Sequence, residues 1–399
     1  MRFALYIFYK NIIVDDLKNI PNDKPSIFAC THPNSFLDAI IIGAYSPRKL
    51  YFLARSDVFN TPFKMWLLSR MNLIPIYRLQ EGAENLHKNE ETFSRCFEIM
   101  KKGGSILIFS EGISVTDKLV RPLKKGTARI AFGAESFNDF KLDLQIIPMS
   151  LNYTHPTLFR SEVIVGIKEP IAVKKYQEIY EESEMKAIRQ FNQELFEGIK
   201  NATIIVEEKT EAGKTYEVVA PILRAELKNH KNRLSKEQEW VVKSTQDKIV
   251  NMAANYPIHQ SKLIEKEIKS GTVSFFKQLL TNIVFYIFWL FGYLPNAIPF
   301  IAAKKITEKT VKLIEFYASV RLCLSVVLYI IYLPIISFIL GSVLEINFLV
   351  ISILFILLGS LYLKVRDQFR SIIGAKKFFS HKNGEELISI RKSIVAAYS

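Results

Sequence analysis

The chain has 399 residues with a net charge of +14, and 49% of its residues are hydrophobic although 23% are charged. This length is too great for one typical hydrophobic core, so two or three structural units are expected. Three widely separated cysteines exclude a disulfide framework and a CxxC metal pattern, and they favour a reducing compartment. The positive charge suits either nucleic acid or an anionic membrane surface.

The N-terminal segment, residues 1–23, contains the apolar run FALYIFYKNII. Charged residues such as Arg2 and Lys10 interrupt the segment and no small-residue cleavage site follows, so a signal peptide is not expected. Two interpretations stay open: a short amphipathic helix that lies on a surface, or the first helix of a core.

Residues 24–172 predict an α/β domain. Apolar runs with the length of buried strands alternate with helical patterns such as 83–104, which ends in Lys-Lys-Gly-Gly, a helix stop signal. The predicted strands are PSIFACT, KLYFLA, NLIPIYR, GSILIFS, LQIIPMSLNY and EVIVGIKEPI. Because strands that alternate with helices form parallel sheets, we expect a mostly parallel sheet covered by helices on both faces.

Residues 173–270 change in composition. They are rich in Lys, Glu and Gln, with spaced apolar positions, as in 183–203. This pattern predicts an appended helical region, for which a solvated helical bundle is the simplest interpretation. The pattern assigns the region no function.

Residues 271–399 contain two long stretches that are poor in charge. A bilayer core requires about 20 apolar residues for each helix. Leu322–Leu363 has Glu345 as its one charged residue, so 322–363 predicts a two-pass transmembrane hairpin with its turn near Glu345. The segment 279–303 has no charged residue, but Pro295 and Pro299 would break a straight helix. It either spans once or enters and returns as a re-entrant segment.

The charges on both sides of the hairpin favour the re-entrant interpretation. The loop after residue 303 and the tail after residue 363 are both rich in Lys and Arg, so both are predicted to be cytoplasmic. A multi-pass membrane protein then has its basic domain in the cytoplasm, facing anionic lipid. The sequence has no zinc-finger spacing and no RNA-binding aromatic signature, so the expected partner is a lipid bilayer and not nucleic acid.

The stretch 30-CTHPNSFLDAIII-42 places a histidine and an aspartate between two apolar runs. The strand PSIFACT delivers His32 to its C-terminal end, where α/β sheets carry their sites. Asn34 or Ser35 can cap the following helix, and Asp38 in the first helical turn can reach back to the imidazole. Two interpretations remain: Asp38 completes a helix cap, or it orients His32 as a general base.

Three further stretches favour the second interpretation. They are 72-NLIPIYR-78, 107-LIFSEGIS-114 and 145-QIIPMSLNY-153. With the first stretch they resemble, in order, the four blocks of the glycerolipid acyltransferase family, which makes lysophosphatidic and phosphatidic acid from acyl donors. Those blocks are His-x4-Asp, an apolar stretch ending in Arg, Phe-Pro-Glu-Gly-Thr-Arg, and an apolar strand with a central Pro. The resemblance covers residues 26–171 and implies the acyltransferase fold.

By this resemblance His32 is the general base that activates the acceptor hydroxyl, and Asp38 orients it. Glu111 and Gly112 would shape the acceptor pocket, and the fork-shaped guanidinium of Arg78 would hold the acceptor's phosphate. The resemblance implies a glycerol-phosphate or lysophosphatidic acid acceptor. The donor is a thioester, acyl-CoA or acyl carrier protein, and neither a cofactor nor a metal is implied.

Two departures from the family pattern affect the site. The first block is His-x5-Asp here, and the turn at 33–35 can absorb the extra residue. The third block lacks its Pro and its terminal Arg, which normally helps to bind phosphate. Arg121, Lys124 or Lys125 can supply that charge instead. Arg160 is a further candidate phosphate contact, in a stretch resembling glycerol-3-phosphate and dihydroxyacetone-phosphate acyltransferases.

The alternative function is that of a non-catalytic, lipid-binding membrane protein that keeps this fold. The intact set of His32, Asp38 and Glu111 favours the enzyme, because a binding protein has no need of all three. The sequence predicts neither the acceptor's identity, nor the acyl chain length, nor the oligomeric state.

Overall fold

The computed structural model describes residues 1–77, 88–206, 224, 233–244 and 275–379. The chain forms two compact units. One consists of Ile12–Tyr153 with Val163–Ile205, and we call it the α/β unit. The other consists of Met1–Asn11, Thr154–Glu162 and Val206–Ser399, and we call it the helical unit.

Eight strands form one mixed sheet within the described residues, in the order β1-β7-β6-β2-β5-β3-β4, with β8 paired to β6. They are β1 (Asn11–Val14), β2 (Ser26–Cys30), β3 (Leu50–Arg55), β4 (Leu73–Ile76), β5 (Ser105–Phe109), β6 (Gln145–Tyr153), β7 (Glu162–Ile167) and β8 (Ile171–Ala172). All the predicted apolar runs form strands. Their apolar composition matches burial on both faces of the sheet: β2, β6 and β7 are buried at every position, and β5 is buried at every position but its last.

The centre of the sheet is parallel, as predicted. Strand β2 pairs in parallel with β5 and β6, and β3 pairs in parallel with β4 and β5. Strands β7 and β8 are antiparallel to β6. The C-terminal ends of β2 to β6 therefore lie at one edge of the sheet, the edge where sites of α/β proteins form.

Helices cover the sheet and complete one hydrophobic core. The helices of the α/β unit are α2 (Phe36–Tyr45), α3 (Pro62–Arg70), α4 (Lys88–Lys101), α5 (Gly126–Phe137), α6 (Gln177–Glu182) and α7 (Glu184–Ala202). Core residues from β2, β5 and β6 pack with Phe132 on α5 and Phe191 on α7. Helix α4 lies inside the predicted helix 83–104, whose residues 83–87 fall outside the described residues.

Two predicted boundaries differ from the structure. Helix α1 (Arg2–Phe8) is shorter than the run FALYIFYKNII, because Asn11–Val14 forms β1 at the edge of the sheet beside β7. The α/β unit also continues past residue 172 to Ile205. Helix α7 buries Ala187, Phe191, Leu195 and other residues of its apolar stripe in the core, so it is not part of a separate helical region.

The helical unit contains the long apolar helices. After α8 (Arg233–Ser244) come α9 (Phe275–Phe288), α10 (Ala297–Thr310), α11 (Ile314–Leu344) and α12 (Phe348–Phe379). By length and composition, three described stretches can cross a membrane: Leu279–Thr310, Ile314–Leu344 and Phe348–Arg370. Helices α11 and α12 are joined by a turn that begins at Glu345 in a left-handed conformation (φ 56°), the position expected for the hairpin turn.

The segment 279–303 is helical but irregular. A π-helical turn at Trp289–Tyr293 and a 3-10 turn at Leu294–Asn296 separate α9 from α10, beside Pro295. The buried amide of Asn296 donates to the carbonyls of Gly292 and Phe355, and accepts from Tyr329. These contacts join the break to the neighbouring helices, because Tyr329 lies on α11 and Phe355 on α12. Whether the segment spans or re-enters stays a prediction.

Candidate active site

His32 and Asp38 meet at the C-terminal edge of the sheet. Strand β2 ends at Cys30, and His32 follows two residues later. Its Nδ1 lies 2.9 Å from Oδ2 of Asp38, which is in the first turn of α2. An ionised carboxylate only accepts, so Nδ1 carries the hydrogen and Nε2 is left free to accept a proton from a substrate. The imidazole keeps 16% of its side-chain surface exposed, whereas Asp38 is fully buried.

The buried carboxylate of Asp38 accepts three hydrogen bonds. Besides His32, the backbone N–H of Asn34 donates to Oδ2 at 2.7 Å. The hydroxyl of Tyr153, the last residue of β6, donates to Oδ1 at 2.6 Å. A buried charge is costly unless its lone pairs are satisfied, so these donors keep Asp38 fixed and able to orient the ring.

The extra residue of the first block is absorbed before α2 begins, in the turn at 33–35. Ser35 takes a positive φ of 49°, which is uncommon for a residue with a side chain. The predicted cap by Asn34 or Ser35 is wrong in its chemistry: α2 begins with no side-chain hydrogen bond from Ser35. The N–H groups that such a cap would bind are already paired with the backbone, because the N–H of Leu37 donates to the carbonyl of Asn34 and the N–H of Asp38 donates to the carbonyl of Ser35. The N–H of Ser35 itself donates to Oγ of Ser114 at 2.9 Å.

The loop after β5 contributes Glu111 and covers the histidine. The ring of Phe109, the last residue of β5, stacks on His32 with centroids 3.7 Å apart and planes 10° apart. Glu111 is 4% exposed, and burial raises the pKa of its carboxyl despite a hydrogen bond of 3.0 Å from the backbone N–H of Arg121. Gly112 has a positive φ of 73°, and a Cβ there would lie 3.0 Å from Cγ of Lys124.

The three predicted substitutes for the missing arginine differ in their availability. The guanidinium of Arg121 is paired with Asp117 through both Nη atoms, so its charge is already compensated. Lys124 and Lys125 are exposed, just before the N-terminus of α5 at Gly126. A helix N-terminus favours negative charge, so these two lysines are the better placed for a phosphate.

The structure does not test the other two predicted phosphate contacts beside His32. Arg78 lies outside the described residues. Arg160 belongs to the helical unit, and its side chain is 8% exposed, pairs with Asp367 at 2.5 Å and donates to the carbonyls of Tyr6 and Tyr9. Its two Nη atoms are therefore engaged in structural contacts, with the C-terminal end of α1 and with the side chain of Asp367 on α12.

The comparison with protein families covers the part of the chain that carries this site. Residues 11–152 match the family model named Acyltransferase. This α/β segment therefore resembles an acyltransferase domain. The match contains His32, Asp38, Glu111 and Gly112, so the residues that meet at the sheet edge fall inside the family region.

Relatives of known name are glycerolipid acyltransferases. The chain is 28% identical over 198 residues to the chloroplastic 1-acyl-sn-glycerol-3-phosphate acyltransferase BAT2 of Brassica napus, covering 47% of this chain and 53% of that protein. It is 34% identical over 119 residues to glycerol-3-phosphate O-acyltransferase 2 of Saccharomyces cerevisiae, covering 29% of this chain and 16% of that protein. The chain thus spans about half or less of the length of these acyltransferases.

One solved structure is also similar. The 1-acyl-sn-glycerophosphate acyltransferase PlsC of Thermotoga maritima aligns with a TM-score of 0.36 and 19% identity, covering 50% of this chain and 74% of that one. This likeness is too weak for a residue-by-residue comparison of the two chains.

Sequence reasoning does not assign a role to two residues of the candidate site. Phe109 and Tyr153 are predicted only as parts of their strands. The sequence signal for Tyr153 is weak, because it is the pairing of β6 with β2 in the structure that brings both strand ends to the same edge. Its polar hydroxyl at the end of a buried apolar strand is the feature that identifies it.

Proposed function

We propose that this protein transfers a fatty acyl group from a thioester donor to the hydroxyl of a glycerol-phosphate or 1-acylglycerol-3-phosphate acceptor, in phospholipid synthesis. The observation that carries the proposal is the hydrogen bond of 2.9 Å between His32 and the buried carboxylate of Asp38 at the sheet edge. The names of the relatives support the acceptor class, since they act on 1-acyl-sn-glycerol-3-phosphate or glycerol-3-phosphate.

The geometry supports a direct transfer. Nε2 of His32 takes the proton of the acceptor hydroxyl as its oxygen attacks the thioester carbonyl carbon. Asp38 stabilises the imidazolium that forms. The carbon–sulfur bond then breaks, the thiolate takes the proton from Nε2, and an ester and a free thiol leave. The donor is acyl-CoA or acyl carrier protein as a substrate, and the reaction needs no cofactor.

The acceptor's phosphate is assigned to basic residues near the site. Lys124 and Lys125 are exposed beside the N-terminus of α5, and Glu111 and Gly112 form the adjoining turn. Arg78 follows β4, whose C-terminal end lies at the same edge as His32, and we keep it as a second phosphate ligand on its position in the chain. These residues are the substrate-binding part of the proposal.

The membrane arrangement is also part of the proposal. Helices α11 and α12 cross the bilayer as a hairpin, 279–303 does not cross fully, and the catalytic unit is cytoplasmic. The supporting observation is that both sequence flanks of the hairpin are basic, with Lys304, Lys305 and Lys309 on one side and Lys364, Arg366 and Arg370 on the other.

A panel of acceptors tests the function. Purified protein is assayed with glycerol 3-phosphate, 1-acylglycerol 3-phosphate and other lysophospholipids, using acyl-CoA and acyl carrier protein donors. His32→Ala is expected to lower turnover by about 10²–10⁴-fold, because it removes the general base. His155→Ala, which alters a histidine outside the α/β unit, is the matched control and should keep its activity. Wild-type turnover in His32→Ala would refute the mechanism.

A further inference from the structure

Helix α3 is an apolar crossover helix that buries none of its nine residues. It connects two parallel strands, β3 and β4, and a helix in that position normally buries an apolar side against the sheet. Instead, Phe63 is 67% exposed, Met65 55% and Trp66 53%. The packing expected of a soluble crossover helix is therefore incomplete in α3, where Leu68 and Ser69 are only half-buried.

Three of the exposed apolar side chains of α3 share one face of the helix, because Phe63, Trp66 and Leu67 stand at positions i, i+3 and i+4. Leu68 and Ser69, on another side of the helix, are half-buried. Val58 before the helix and Met71 after it are exposed as well. An exposed apolar face of this kind indicates a surface that is covered by another apolar partner.

The charges on α3 are positive only. The sequence PFKMWLLSR contains Lys64 and Arg70 and no acidic residue. The guanidinium of Arg70 lies 4.8 Å from the ring centroid of Trp66, so a cation and an amphipathic ring share one surface. Trp with Lys or Arg around apolar residues is the composition of helices that lie at the surface of anionic bilayers.

The position of α3 links it to the site. Strand β3 ends at Arg55, on the same sheet edge as the end of β2 that carries His32, because both strands pair in parallel with β5. The chain then passes from this edge through a 3-10 turn at Ser56–Phe59 into α3, which begins at Pro62 with Thr61 as its cap. The N-terminal end of α3 thus lies on the side of the catalytic edge, and its C-terminal end leads back to the start of β4 at Leu73.

We propose that α3 is a membrane-docking helix of the α/β unit, which inserts Phe63, Trp66 and Leu67 into the headgroup region of an anionic bilayer. The contact is separate from the apolar helices 279–370. Its use rests on the proposed function, since docking at this edge presents the acyl acceptor to His32, but the contact itself requires no turnover.

Tryptophan quenching tests the contact in the full-length protein. The chain has tryptophans at 66, 240 and 289, so Trp240→Phe with Trp289→Phe leaves Trp66 as the one fluorophore. The protein is reconstituted into vesicles of phosphatidylcholine and phosphatidylglycerol. Lipids brominated in the acyl chains are expected to quench Trp66 strongly, and acrylamide in the water phase is expected to quench it weakly.

Two matched variants calibrate the result. Trp66→Phe with Trp240→Phe leaves Trp289, in the apolar stretch 279–310, which should be quenched by brominated lipid. Phe137→Trp in a chain without the native tryptophans reports another exposed apolar position of the same unit, and it should be quenched by acrylamide alone. Acrylamide quenching of Trp66 equal to that at position 137 would overturn the proposal. Protection from both quenchers would overturn it too, because it indicates a protein contact. Activity is not measured, so the result is independent of the proposed function.

Discussion

Tyr153→Phe tests whether the third hydrogen bond to Asp38 tunes the histidine. The substitution removes only the hydroxyl that donates to Oδ1 at 2.6 Å, and the ring stays in its buried position. A hydrogen bond to a charged group contributes about 1.5–3 kcal/mol. Asp38 keeps His32 and the N–H of Asn34 as donors, so we expect the lower value, about 1.5 kcal/mol, which corresponds to about one unit on the pH scale.

The sign follows from what the carboxylate does without Tyr153. Its negative charge is less dispersed, so it holds a protonated His32 more firmly. A general base must be neutral to accept a proton, and the variant is therefore inactive over a wider acidic range. The acid limb of kcat/KM against pH should move upward by as much as about one unit, and variant and wild type should converge at alkaline pH.

Tyr176→Phe is the matched control. It removes the hydroxyl of a buried tyrosine in the same unit, which donates to Glu194 and not to a residue of the candidate site. It should lower thermal stability without moving the acid limb. If Tyr153→Phe loses activity equally at every pH, with an unmoved limb, then Tyr153 is only a structural residue and the reasoning is refuted.

Three further predictions follow from the site and the helices. Lys124→Ala with Lys125→Ala should raise the KM of the acceptor more than that of the donor, and equal effects would contradict the phosphate assignment. Glu111→Gln should raise the Tm at neutral pH, because burial raises the pKa of Glu111 and penalises its charged form in the folded state. The gain in Tm should vanish as the pH falls below about 4.3, where the carboxyl of Glu111 is neutral in both the folded and the unfolded protein. In a chain without Cys30, Cys96 and Cys323, single cysteines at Lys309, Glu345 and Arg370 should react with an impermeant thiol reagent from outside only at 345, and reaction at 309 would mean that 279–303 spans.

The strands could be predicted because their signal is local. Runs such as SILIF and QIIPMSLNY are apolar along their length, which requires burial on both faces, and that alone implies a covered parallel sheet. The partner of an amphipathic helix is not local information. Helix α7 shows a clear apolar stripe in sequence, but the residues 184–202 do not reveal that this stripe packs against α5 and β6. The sequence therefore predicts that the α/β domain ends at residue 172, before α7.

The same distinction applies to the site. His32 and Asp38 were predictable as a pair because they are six residues apart, with a helix start between them. Tyr153 is 115 residues from Asp38 in sequence, and only the strand order brings it close. The stacking of Phe109 on His32 depends in the same way on the pairing of β2 with β5. Long-range contacts of this kind need the topology first.

The two departures from the family's blocks, the extra residue in the turn at 33–35 and the serine at position 114, are joined by a hydrogen bond. The extra residue of the first block leaves Ser35 at a positive φ, a conformation that costs about 1–3 kcal/mol unless the surroundings hold it. The N–H of Ser35 donates to Oγ of Ser114, the residue that stands where the family's third block has arginine. A longer, charged side chain at 114 would lose this acceptor.

The next two residues of the loop also form hydrogen bonds with the turn. The N–H of Val115 donates to the carbonyl of His32 at 3.1 Å, and the hydroxyl of Thr116 donates to the carbonyl of Pro33, also at 3.1 Å. The loop therefore binds the turn on both sides of His32, and Ser114 holds Ser35 in its strained conformation. In the proposed site, Ser114 thus supports the turn that carries His32, and the phosphate charge is assigned to Lys124 and Lys125 instead of an arginine at position 114.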